Sequence, residues 1–340
     1  MAQINKPSEY FNTKLYTGTG AENAITGVGF QPDLTWIKRR ELNGHRLFDS
    51  VRGATKYIET DSTDAEVTDA QELKSFDSDG FTLGTALKVN ASGGTYASWN
   101  WLADNTSGSS NTDGSITSTV SANTTSGFSV VKWTGTGSGQ SNVTIGHGLN
   151  ATPKVIIFKQ LDTGGWIVYH EVLGSNNFLT LNATDASTSA TGICNPNSTN
   201  IVLPTSYLGT NSTAGMIAYC FAEKKSFSKF GSYTGNGSTD GVFCYTGMKP
   251  AWVLVKKTSA TDNWILLDNK RDTAPNPHKL ALFPNTADAE SGDYLTDFLS
   301  NGFKIRSATG SLNTSSASYI YMAFAEEPLV GTNNIPATAR

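Results

Sequence analysis

"YTGTG", residues 16–20, decides how this chain is read. Taken alone, two glycines around a hydroxyl residue look like part of a phosphate-cradling loop, in which backbone N–H groups approach an anion closely. Nearly the same string returns as "WTGTG" at 133–137 and as "YTGNG" at 233–237. A catalytic loop is rarely needed three times, and a phosphate loop would also want a following helix and a Lys-Ser/Thr pair, which are missing here. The string therefore marks a repeat. Its glycines supply positive-φ backbone for a turn, and the aromatic before them packs inward.

Working outward from that marker, each copy continues with a proline-led apolar segment of constant length: "PDLTWIK" (32–38), "PKVIIFK" (153–159) and "PAWVLVK" (250–256). Short runs follow at "HRLFD" (45–49), "WIVYH" (166–170) and "WILLD" (264–268), then "GFTLG" (80–84), "NIVLP" (200–204) and "GFKIR" (302–306). The copies close on "YASWNWLAD" (96–104), "GMIAYCFAE" (215–223) and "YIYMAFAEE" (319–327), preceded by Asn90, Asn211 and Asn313. Short β-branched and aromatic runs bounded by Gly, Asn, Ser and Thr turns read as strands. Only "TDAEVTDAQELKSF" offers a helix-like stretch.

The expected fold class is all-β: three tandem β-sandwich, jelly-roll or lectin-like domains of about 95 residues, each large enough to bury its own core and strung as beads. The expected boundaries are an N-terminal arm at 1–10, repeats at 11–104, 128–224 and 225–328, and a C-terminal extended tail at 329–340. Residues 105–127, rich in Ser, Thr, Asn and Gly, read as a linker that lies along neighbouring surfaces. Tails of this kind often dock onto another subunit, against a default of disorder at a terminus.

Charged residues make up 16% of the chain, with a net charge of -4. That excludes a nucleic-acid binder, which concentrates Lys and Arg against phosphates, and Lys38-Arg39-Arg40 is too short a cluster to reverse this. Three cysteines, Cys194, Cys220 and Cys244, form no C-x-x-C pair, and no histidine lies at ligand spacing, so neither a metal site, a cofactor nor a disulfide framework is expected. The absence of an apolar h-region or a long apolar run predicts a chain made in a cytoplasm, without membrane insertion.

No nucleophile elbow occurs, and "GTGSG" (135–139) lacks a dinucleotide-binding context. The acids Glu59, Asp61, Asp64, Glu66, Asp69 and Glu72 are the densest carboxylates, but copies two and three do not repeat them, so a solvated segment is preferred over a glycosidase pair. No catalytic residue is assigned. Trp99 and Trp101 alternate on one strand face, either as core or as a sugar-stacking platform. Together with Asp49, Arg52 and Asn90, chosen for loop position and side-chain type, they form the candidate glycan-contact set.

"YTGTG", "GVGFQPDLTWIKRR", "RLFDSVRGATKYI", "FDSDGFTLG", "YASWNWLAD" and "FAEEPLVGTNNIPATAR" together resemble the repeat domains of virion proteins of marine tailed bacteriophages, regarded as concanavalin A-like lectin sandwiches. The likeness is strongest in copy one. Copies two and three depart from it at "RLFDSVRG", so roles of Asp49, Ser50 and Arg52 do not carry over to them. The resemblance implies a non-enzymatic structural protein on the particle exterior: a tail fibre or tail-associated adhesin, homo-oligomeric, in contact with other virion proteins and host surface glycans. The alternatives are a capsid decoration protein and, third, a glycan depolymerase.

Overall fold

The structure is a computed structural model that describes residues 3–137, 142–203, 207–272, 276–331 and 336–338. Parts of the expected arm (1–2) and tail (332–335, 339–340) lie outside the described residues, as do Ser138 and Gly139 of "GTGSG" and Pro204 of "NIVLP". Strands dominate, and the α-helices are single turns at Leu87–Asn90, Leu208–Asn211 and Gly310–Asn313.

Each repeat builds two antiparallel sheets in the same order. In the large sheet the strand before the Gly-rich marker pairs with the closing strand, which pairs with the proline-led strand, which pairs with the run after it. In the first repeat these are Phe11–Thr17, Thr95–Trp101, Leu34–Arg39 and Arg46–Asp49; in the third they are Ser228–Thr234, Ser318–Pro328, Met248–Lys257 and Ile265–Asp268. A small outer sheet covers one face: Asn23–Thr26, Gly80–Leu83 and Leu73–Asp77 in the first repeat, and Phe243–Tyr245, Gly302–Ile305 and Thr296–Leu299 in the third. Each repeat thus has its own two-layer core.

The other face of every large sheet is apolar too. Val155 and Ile157 of "PKVIIFK" point one way and Ile156 and Phe158 the other, and both sets are buried. The three second faces meet around a pseudo-threefold axis in a fourth core shared by all repeats. Trp101, Phe221 and Phe324 occupy equivalent register positions opposite Leu34, Val155 and Trp252. Their rings form a triangle with centroid separations of 5.6, 5.7 and 6.3 Å. Such edge-to-face contacts add to the area that the rings remove from water.

Three expectations therefore change. The repeats are not beads, because sheets apolar on both faces would leave one face wet in an isolated sandwich. Residues 105–127 are not only a linker: Ser109–Asn111 and Ser118–Asn123 add two strands to the edge of the second large sheet, and the Ser121 hydroxyl bonds Asp33 of the first repeat (3.2 Å). "TDAEVTDAQELKSF" forms no helix; it holds the strand Val67–Thr68 and most of Leu73–Asp77. The arm and tail dock on their own chain, with Ile4 buried and its N–H bonded to the Lys225 carbonyl, while the Gln3 amide bonds Val330 O (2.5 Å).

Candidate functional site

The opening motif is a turn held by asparagine. Asn90 Oδ1 accepts from Thr19 N–H (2.9 Å), and Asn211 and Asn313 accept equivalently from Thr136 and Asn236 (3.0 and 2.9 Å). A Cβ on Gly18, Gly135 or Gly235 would lie 2.2, 2.1 and 2.2 Å from a carbonyl oxygen at the end of the one-turn helix, which is why glycine recurs there. Asn90 is fully buried and its amide group also donates to Ala21 O and Gly84 O. It is occupied by the fold and offers no surface to a sugar.

The other four expected glycan contacts are buried as well. Trp99 and Trp101 share a face, as read, but that face is the shared axial core. Asp49 and Arg52 form an ion pair, with Nε 2.5 Å from Oδ2, and neither side chain is exposed. Arg52 also bonds Leu47 O and Glu66, and Asp49 receives the Tyr219 hydroxyl of the second repeat (2.8 Å). The third repeat keeps the same device, contrary to the expectation of drift. Arg271 pairs with Asp268 (2.6 Å), Leu266 O and Glu290, and Asp268 receives the Trp99 indole N–H of the first repeat (3.0 Å). Asp268 is held below the usual carboxylate range by Arg271, against the opposing effect of burial.

The second repeat solves the same position without charge. His170 stands at the register of Asp49 and Asp268. Three residues on is Leu173 instead of arginine, and the residue matching Tyr219 and Trp99 is Met322. His170 Nδ1 accepts from Val172 N–H, and Nε2 lies 3.3 Å from Tyr321 O of the third repeat. Burial pushes it down to about 4, so the ring is neutral. A carboxylate is present where a neighbouring donor faces it and absent where none does, as the cost of burying an unpaired charge requires.

Two of the three recurring lysines, Lys38 and Lys256, also bond across repeats. Lys38 Nζ bonds Arg39 O, Leu42 O and, across to the third repeat, Asp288 O (2.9 Å); Lys256 Nζ bonds Lys257 O and, across to the second, Thr184 O (3.1 Å). Burial pushes Lys38, Lys159 and Lys256 down to about 8. Arg40 makes a two-nitrogen contact with Glu290, so the basic cluster is neutralised locally. The acidic segment is spent likewise: Glu59 pairs with Arg46, Glu66 with Arg52 and Lys56, and Glu72 with Arg46. The cysteines are free and buried, and among the described residues no His, Cys, Asp and Glu group is arranged around a metal position.

One open cavity lies where the second and third repeats join. Residues of that joint, Gln3 of the arm, and Leu329 and Val330 of the tail enclose about 460 Å³. Tyr245 forms one wall and is 59% exposed, with Phe243 at 41% on the same face of the edge strand. Glu223 in the lining is paired with Lys229 and Lys154 (3.0 and 3.5 Å), whereas no carboxylate pairs with Lys224 or Lys225 among the described residues. Burial lowers Lys224 from the ordinary lysine range. The aromatics Phe243 and Tyr245 do not stand out in the sequence by themselves. Their signal was comparative: "VFCYTG" carries aromatics where the sister copies carry "NAITG" and "NVTIG".

One family description matches this chain, a domain of unknown function (DUF7483), over residues 6–328. The match runs through all three repeats as one unit, in keeping with the shared axial core. No curated protein and no solved structure matches the chain.

Proposed function

We propose that this chain, which belongs to the DUF7483 family, is a non-enzymatic structural protein of a phage particle, a tail fibre or tail-associated adhesin that presents its outer surface to host glycans. The observation that carries this reading is the division of labour among its residues. The charged groups that recur between repeats are spent on holding three sandwiches in one body, while the exposed aromatics Phe243 and Tyr245 and the open cationic cavity belong to the third repeat and its joint with the second. A body of that kind suits rigid display. Of the acids considered for glycan cleavage, Glu59, Glu66 and Glu72 are paired with arginines, which favours binding over hydrolysis.

A second reading, a capsid decoration protein, is favoured by the pseudo-threefold axis, since such a body matches a threefold lattice position in a single chain. Quantitative mass spectrometry of purified particles tests both. A few to tens of copies supports the tail reading, hundreds support decoration, and absence from particles overturns the proposal.

A further inference from the structure

We infer that the cavity beside Tyr245 is a binding site for an acidic saccharide, a carboxylated or sulfated pyranose chain; this rests on the adhesin reading and names its ligand class.

The pseudo-threefold symmetry supplies the first argument, because it shows what the fold itself needs at each position. Phe243 and Tyr245 correspond to Ala24 and Thr26 in the first repeat and to Thr144 and Gly146 in the second. In the second repeat the place is filled from within: a Cβ on Gly146 would lie 1.7 Å from Asn111 Oδ1, and Ile116 bridges Ile145. Only the third repeat sets large rings there and leaves them open to water. Neither ring is required by the sandwich, since small residues serve the other two copies.

The second argument is the arrangement around the rings. Residues two apart on a strand share a face, so both aromatics look outward. Gly302 stands opposite Tyr245 and places no side chain beside the ring, while Lys304 stands opposite Phe243. The cavity is lined by Lys224 and Lys225 as well as Tyr245, and no carboxylate pairs with either lysine among the described residues. The hydroxyl of Thr246 and the amide of Gln3 already bond Met248 O and Val330 O, which fixes the walls. An exposed aromatic face matches the apolar face of a pyranose. Lysines lining the same cavity, with no carboxylate partner among the described residues, match a carboxylate or sulfate through charge-assisted hydrogen bonds. The volume lies within the roughly 300–1,000 Å³ usual for small-ligand sites.

The test uses the whole chain. Titration calorimetry at low salt is run with oligogalacturonate, a sulfated oligosaccharide and neutral maltooligosaccharide, alongside a broad glycan array. Binding of at least one acidic ligand and not of the neutral one is expected. Tyr245→Ala should weaken it about tenfold, and the double variant Lys224→Gln/Lys225→Gln should do the same and flatten its salt dependence. Unchanged melting temperatures confirm that these surface changes leave the fold alone. Acidic-saccharide binding that survives both variants overturns the site and leaves the adhesin reading standing. Array signal for neutral glycans alone overturns the ligand class, and a silent array overturns the inference together with the adhesin reading. Self-association that Tyr245→Ala abolishes would assign the face to a second copy and overturn it.

Discussion

Replacing Arg52 by Leu removes the cation from the contact between the first and second repeats. The Asp49 carboxylate, with no exposure of its own, then keeps only the Arg52 backbone N–H (2.8 Å) and the Tyr219 hydroxyl (2.8 Å). Breaking a buried ion pair from one side costs about 3–5 kcal/mol, because the remaining charge is desolvated without compensation. Unfolding entropy near 2.1 cal/mol/K per residue makes about 0.7 kcal/mol/K for a chain of this length, so melting should fall by about 4–7 °C. The molecule also contains its own repair. At the contact between the second and third repeats, His170, Leu173 and Met322 fill the positions of Asp49, Arg52 and Tyr219. The triple variant Asp49→His/Arg52→Leu/Tyr219→Met installs that uncharged solution and should recover more than half of the loss. Calorimetry of the single and triple variants reads both. A single variant within 1 °C of the parent, or a triple variant worse than the single, would refute the reasoning about compensated charge.

Asn313→Ala should cost about 1–3 kcal/mol, since it removes a fully buried amide and leaves Asn236 N–H, Ser238 O and Ser307 O without their partner, and hydrogen exchange should rise first in the 235–238 turn. Acid should destabilise the fold through His170. Its folded value of about 4 lies below its ordinary 6.5, so the unfolded chain binds more protons between those limits. Stability is fully present above pH 6.5 and is lost as pH falls towards 4, by about 3 kcal/mol for this group alone. His170→Asn retains a capping acceptor for Val172 N–H, and denaturant titrations across that window should show a shallower acid loss than in the parent.

The repeat register was legible because the turn glycines and Asn90, Asn211 and Asn313 answer to local backbone demands, which leave their mark in single residues. Closure around an axis was less visible. Its signal lay in strands such as "PKVIIFK", apolar at consecutive positions rather than alternate ones, which a two-layer sandwich with one wet face does not need. Asp49 and Arg52 were misplaced for a physical reason. A charged pair next to a loop resembles surface chemistry until the Tyr219 hydroxyl from another repeat is seen to complete it. The exposed rings of Phe243 and Tyr245 went unnoticed because exposure is a property of what surrounds a residue, and only the sister repeats show that the fold has no use for aromatics there.

The most direct test of the central idea, that three sandwiches share one interior and stand or fall together, is scanning calorimetry of the whole chain. One transition with calorimetric and van't Hoff enthalpies that agree is the predicted result. Three separable transitions, or a calorimetric enthalpy about three times the van't Hoff value, would contradict it.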